Sequence, residues 1–169
     1  MRWVKSHRFD PVGRIIADRH YNRQTPGSPQ FVPPGRCLVL VAPSREDAKA
    51  LWVTSWPRYA RHAWEGAWIN TLFRNEGAGL SSELILEALA CTRYRWPGEE
   101  PELGMITFVA PESVRAKKDV GYCYLKAGFV RIGKTKVRKR LVFQIKPEDM
   151  PPPQSWGGMM QKEFSFEME

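Results

Sequence analysis

The chain has 169 residues, 43% of them hydrophobic, and 26 Lys and Arg against 18 Asp and Glu, a formal net charge of +8. That hydrophobic content excludes general disorder, the length suits one domain with one real core, and no apolar run approaches the ~20 residues that span a bilayer. Three cysteines (Cys37, Cys91, Cys123) cannot all pair and fit no zinc spacing, so they read as reduced thiols; Met1-Arg-Trp-Val-Lys-Ser-His opens no secretory signal.

Residues 2–9 can form a first strand. Asp10-Pro11 then supplies an N-cap and a proline at the first helical position. Val12, Ile15, Ile16 and Arg19 follow at helical spacing, which puts His20 and Tyr21 at or just past a helix end. Residues 22–35 hold four prolines and two glycines and read as an irregular loop. Strands are expected at 36–42, 50–56 and 67–73, with a turn at Ser44-Arg-Glu-Asp and a stop at Trp56-Pro57. Leu80, Leu84, Ile85, Ala88, Leu89 and Thr92 make the apolar stripe of a helix over 80–95, which Ser81 and Ser82 can cap and Trp96-Pro-Gly ends. A buried strand over 104–110, a short helix over 120–127 and a hairpin of 130–136 with 141–146 complete the pattern. Mixed strands and helices without a repeat imply an α/β (α+β) sheet with helices on both sides. The segment from Pro147 carries four prolines and two glycines and reads as a peripheral extension, able to fold back over a groove through Trp156, Phe164 and Phe166.

Two stretches carry chemistry. The first, Arg74-Asn-Glu-Gly77-Ala78-Gly79-Leu80-Ser81, is a glycine-bearing turn between strand and helix. Such a turn aims backbone N–H groups and the positive end of the helix dipole at an anion, and glycine lets backbone approach phosphate oxygens closely. The second, Gly121-Tyr-Cys-Tyr124-Leu-Lys-Ala-Gly128-Phe129, is a short helix with a tyrosine one turn before a Gly-Phe step. Read alone, the turn is a strand-to-helix connection or an anion site. Tyr124 is a core ring with a bonded hydroxyl or an acid. His20 is a capped helix end or a catalyst.

In this order the two stretches resemble the GNAT acyltransferase superfamily. Arg74-x-x-Gly77-x-Gly79 resembles its pyrophosphate loop, and Tyr124-x-x-x-Gly128-Phe129 its Tyr-x-x-x-Gly-Phe segment. The resemblance implies a GNAT-like fold over residues 1–146, a central splayed mixed sheet flanked by helices, with 147–169 as a C-terminal extension. It implies acetyl-CoA or another acyl-CoA as cofactor, held by Arg74, Gly77, Ala78, Gly79, Leu80 and Ser81. Tyr124 would protonate the departing thiolate, which leaves poorly otherwise.

A narrower resemblance is to the Mom-type phage DNA-modification proteins, carried by His20-Tyr21, the strand Met105-Ile-Thr-Phe-Val-Ala110 and the Gly-Tyr-Cys-Tyr-Leu-Lys-Ala-Gly-Phe run. That family converts the exocyclic N6 of adenine in DNA to a carbamoylmethyl derivative. The resemblance implies a phage- or prophage-encoded enzyme in the cytoplasm of a bacterial host, acting on double-stranded DNA. His20 and Tyr21 would handle the base, and Thr107 would contact substrate. Asn22 stands where the family has serine, and Thr107-Phe-Val-Ala where it has Ser-Phe-Ala-Asp, so Asp119 is the nearest candidate for the missing aspartate. No spacing indicates a metal site.

Charge distribution agrees with an anionic partner. Residues 1–146 hold 25 bases against 13 acids, and residues 131–140 alone supply six bases. Such a field attracts DNA phosphates, and also coenzyme A, itself an anion. Arg23, Arg115, Lys117, Lys118, Arg138, Lys139 and Arg140 are the expected nucleic-acid contacts. Tryptophans 52, 56, 64 and 68 either line the core or stack a base taken from the duplex, a step that N6 chemistry requires. Two alternatives stand beside this reading: an N-acetyltransferase for a protein or small amine, and a non-catalytic basic DNA-binding protein.

Overall fold

The computed structural model describes residues 1–20, 23, 25–57, 63–111 and 120–157. Seven strands form one sheet: β1 (Val4–Lys5), β2 (Arg36–Ala42), β3 (Ala50–Trp56), β4 (Trp68–Asn75), β5 (Met105–Val109), β6 (Val130–Lys134) and β7 (Leu141–Ile145). Their spatial order is β1-β2-β3-β4-β5-β7-β6. Three helices accompany them, α1 (Pro11–Asp18), α2 (Ser81–Arg95) and α3 (Tyr122–Lys126). β1 to β4 pair antiparallel, as do β5, β7 and β6, but β4 and β5 are parallel. A parallel neighbour requires a crossover, and α2 supplies it.

The expected strands over 36–42 and 50–56 form with those bounds, and β4 runs two residues past the expected end. The first strand is a correction: two residues pair rather than eight. Ser6 still donates to the Val39 carbonyl, but Asp10 N–H then turns back to the His7 carbonyl. Asp10 caps α1 as expected, its carboxylate accepting from Val12 N–H at 3.0 Å ahead of Pro11. Capping of α2 by Ser81 or Ser82 is a second correction. The N-cap position is Leu80, and no side chain caps this helix. Ser81 instead has its hydroxyl on Asn75 Nδ2.

Alternation along the strands divides the core. Leu38, Leu40, Trp52, Met105, Phe143 and Ile145 point to the face covered by α2 and α3. Val39, Val41, Leu51, Val53 and Leu72 point to the opposite face and pack on Ile16 and Ala17 of α1. Farther across that second face lie Ile69, Ile106 and Val142, with Trp64 and Phe108 over them. Residues 150–157 are not peripheral, a third correction. Met150 and Trp156 join the α2-side core, Gln154 N–H donates to the Ala90 carbonyl, and Gly157 bridges to Val4. Phe164 and Phe166 lie outside the described residues.

The sheet forks in its middle. β4 and β5 pair only at Trp68↔Met105, Ile69↔Ile106 and Asn70↔Thr107, after which β4 continues to Asn75 and β5 to Val109 unpaired with each other. Opposite the same point the β3–β4 register shifts at Val53/Thr54. A bulge adds bend and twist to one strand, which swings the end of β4 away from β5.

Candidate functional site

The fork is floored by a buried polar cluster centred on Asn70. Its amide nitrogen donates to the carbonyls of Val53 and Leu72, each at 3.0 Å, which fixes the amide's orientation. Oδ1 therefore faces the fork and accepts from the Tyr124 hydroxyl at 2.7 Å. Thr107 Oγ1 lies 3.2 Å from the same oxygen and 3.2 Å from the Asn70 carbonyl. Tyr124 is brought here by α3 and a left-handed Gly128 at φ 102°, after which Phe129 N–H closes back on the Tyr124 carbonyl. Its ring stands among Phe73, Phe129 and Phe143, at centroid separations of 5.3–6.3 Å. Its hydroxyl oxygen lies at the branch point of the sheet.

At the far end of β4 the glycine loop is built around Asn75. Its Oδ1 accepts from the N–H groups of Gly77 (3.1 Å) and Ala78 (2.9 Å), and its Nδ2 donates to the Gly79 carbonyl (2.7 Å). The amides of Gly77 and Ala78 are thus spent within the loop. Those of Ser81, Ser82 and Glu83, at the uncapped start of α2, remain for an anion. Gly77 and Gly79 have φ of 115° and 138°, and a Cβ on Gly79 would stand 2.5 Å from a guanidinium nitrogen of Arg2. Arg2 reaches this place from the N-terminus and is held by Glu83 and Glu87, each at 2.9 Å.

His20 lies where α1 meets the diverging end of β4. Its ring is hydrogen-bonded to the Phe73 backbone, and burial first, then the charges of Arg74 and Arg140, pushes its pKa down to about 4. It is therefore a neutral imidazole at physiological pH, able to accept a proton without first losing one. Beside it, Glu76 binds Arg74 (2.6 Å) and Arg19 (2.8 Å), while Arg74 also donates to the Arg19 carbonyl at 3.1 Å. These two guanidinium partners hold the Glu76 carboxyl down at about 2, Arg19 contributing most.

His20 thus feels the charges of both Arg74 and Arg140, Thr107 and Tyr124 lie on the floor of the fork, and Gly77–Ser81 follow the end of β4. Thr107 is buried with its hydroxyl on Asn70. Arg138 and Lys139 are exposed on the hairpin between β6 and β7. Arg23 is a correction. Its guanidinium is 7% exposed, paired with Asp18 at 2.8 Å and donating to the Ser28 and Gln30 carbonyls, so it braces the loop after α1 rather than facing a phosphate. Tyr21, Arg115, Lys117, Lys118 and Asp119 lie outside the described residues. Trp52 and Trp68 are fully buried, and Trp56 packs with Trp68 and Trp96 at the start of β4, away from the glycine loop. Among the described residues no group of three His, Cys, Asp or Glu side chains could hold a metal ion, and no helix is long and apolar enough to cross a membrane.

Sequence reasoning missed Asn70, Asn75, Glu76, Arg19 and Arg2. Asn75 and Glu76 had a local signal, since an asparagine and a carboxylate inside a glycine turn commonly bond its backbone or its arginine. Asn70 and Arg2 had none, because their partners are 54 and 81 positions away.

No protein-family model matches the chain, and no curated protein matches it. Solved structures do. Aminoglycoside acetyltransferase AAC(6')-Ib in complex with coenzyme A and kanamycin aligns over 88% of this chain and 95% of its own, with TM-score 0.62 and 17% identity. The same acetyltransferase with ribostamycin and coenzyme A aligns over 88% and 96%, with TM-score 0.60 and 14% identity. With its seven-stranded mixed sheet and flanking helices, the chain has the GNAT acyltransferase fold.

Proposed function

We propose that this chain is an acyl-CoA-dependent transferase whose acceptor is the N6 amine of adenine in DNA, a Mom-like modification enzyme. The cofactor's fit is supported by features of the fork itself. The strands diverge beyond Asn70↔Thr107, three uncapped amides stand at the start of α2, and open space lies over Gly77. Arg74 and the amides of Ser81, Ser82 and Glu83 would hold the diphosphate, with the Gly77–Gly79 turn leaving room for it. A bound acyl-CoA would supply an activated thioester carbonyl, so that attack by N6 would form an amide and release the thiolate; this transfer by itself does not make a carbamoylmethyl group. Tyr124 holds a proton at its hydroxyl within the fork, and Asn70 orients that hydroxyl. His20, kept neutral, would accept the proton of the attacking amine.

The observation that carries the choice of DNA is the position of Arg140. It acts electrostatically on His20, which supports the basic hairpin of residues 131–140 as the rim of the acceptor side. The carboxylates described nearby, Glu76 and Asp18, are already paired with arginines. A rim of this sign suits a polyanion. It repels a polyamine such as an aminoglycoside, so the acceptor of the fold's solved neighbours is not transferred to this chain.

Mass spectrometry of nucleosides from host DNA after expression of the chain tests the reading, beside Tyr124→Phe and His20→Ala. The expected result is a new adenosine adduct, absent in both variants, whose mass names the group transferred. Unmodified DNA in cells rich in soluble protein would overturn it in favour of an N-acetyltransferase for another amine. DNA binding that persists without turnover would favour the non-catalytic alternative.

A further inference from the structure

The carboxylate of Glu76 stands on the arginine that the cofactor would use. Glu76 is fixed by its own backbone, whose N–H donates to the Lys49 carbonyl at 2.6 Å in the turn between β2 and β3. From there both carboxylate oxygens are occupied: Oε2 by Arg74 Nε and Arg19 Nε, and Oε1 by Arg19. Arg74 closes the triangle on the Arg19 carbonyl, and Arg19 is at once the C-cap of α1 and the residue before His20. One carboxylate therefore ties the glycine loop to the helix end that carries the proposed base. An incoming diphosphate and this carboxylate cannot both take Arg74 at full strength, because each is an anion seeking the same guanidinium and they repel each other.

We infer that Glu76 is a positioning residue that clamps the His20 end of α1 to the glycine loop and yields Arg74 to the diphosphate when the cofactor binds, so that cofactor arrival is transmitted to the acceptor side. This rests on the cofactor reading above. It makes the two sites thermodynamically coupled: whatever cofactor binding does to acceptor affinity, acceptor binding does to cofactor affinity by the same factor. Glu76 thereby weakens cofactor binding by competition and, in the free protein, holds the His20 end of α1 in place.

The full-length protein carrying Glu76→Gln is to be titrated calorimetrically with coenzyme A and with inorganic pyrophosphate. Glu102→Gln, an equal charge change at an exposed position just before β5, at the other end of that strand from the fork, serves as control. Glu76→Gln is expected to bind coenzyme A about tenfold tighter at low salt, and Glu102→Gln less than twofold tighter. Hydrogen exchange at residues 16–20 is expected to rise when coenzyme A is added to the unaltered protein, and to be already high and unresponsive in Glu76→Gln. A merely structural role would loosen binding and stability together. If Glu76→Gln does not fold, Arg19→Gln gives the reverse sign, about tenfold weaker binding, because Glu76 then belongs to Arg74 alone. Coenzyme A affinity unchanged or reduced in folded Glu76→Gln overturns the inference alone. Failure of the unaltered protein to bind either coenzyme A or pyrophosphate overturns the cofactor reading and this one with it.

Discussion

The two halves of β4 differ in pairing, burial and polarity. Its first half, from Trp68, is paired on both sides and closed by indoles: Trp56, Trp68 and Trp96 meet at 5.3–5.9 Å, with the Arg36 guanidinium 4.6 Å over Trp56. Its second half, from Asn70, is bulged, parted from β5 and lined by side chains that bond to one another. The first half has lost its access to water and with it any means of meeting a ligand. The second keeps polar groups at a place where sheet pairing has been given up. Apolar packing is concentrated in one half and mutually bonded polar side chains in the other, and a single asparagine marks the change.

The comparison breaks most visibly if the closed half is emptied. Trp68→Ala is expected to cost about 3–5 kcal/mol of stability in denaturant unfolding, while activity per folded molecule is retained. Trp68→Phe should cost much less, because the buried indole N–H has no partner among the described residues to lose. In the open half, Tyr124→Phe is expected to cut turnover about a hundredfold while costing only about 1 kcal/mol of stability, since it removes one hydroxyl hydrogen bond. Equal losses in both quantities would make Tyr124 a core residue and no more.

A smaller effect comes from His20. With its folded pKa near 4 against an ordinary value near 6.5, the unfolded chain binds the proton first. Stability should therefore fall as pH drops from about 6.5 toward 4, by at most about 1.4 kcal/mol per pH unit, and His20→Gln should flatten that slope. The depressed Glu76 carboxyl acts with the same sign at lower pH: its contribution is intact above about 4.5 and lost on the way down to about 2. An acidic limb of activity that is unchanged in His20→Gln would show that His20 is not the base. The smallest expected change is Gly79→Ala, about 1 kcal/mol, from a left-handed backbone at φ 138°. The Arg2 contact adds little there, because the tip of a flexible side chain can move.

Much of the fold was legible because it depends on local pattern. Alternating apolar runs gave β2 and β3 to the residue, the Asp10-Pro11 pair gave the start of α1, and the stripe from Leu84 to Thr92 gave the buried face of α2. The glycine loop was legible as a loop, since Gly77 and Gly79 take backbone conformations that other residues resist. Its inner wiring was not. Asn75 rather than a serine organises it, and Glu76 rather than solvent meets its arginine, because bonds of this kind depend on how the turn closes in space.

Amino-acid order by itself determined the number and kind of elements, the positive field, and the two short segments whose types suit an anion and a proton. It could do so because periodicity, turn chemistry and charge act over a few residues. Only the tertiary structure decided that Asn70 would hold the Tyr124 hydroxyl, that Arg2 would lie on Gly79, that Arg23 would be tied to Asp18 and the loop after α1, and that the charge of Arg140 would reach His20. Each of those depends on which strands lie side by side and where β4 leaves β5, and that is settled by packing the whole sheet between its helices rather than by any stretch of chain on its own.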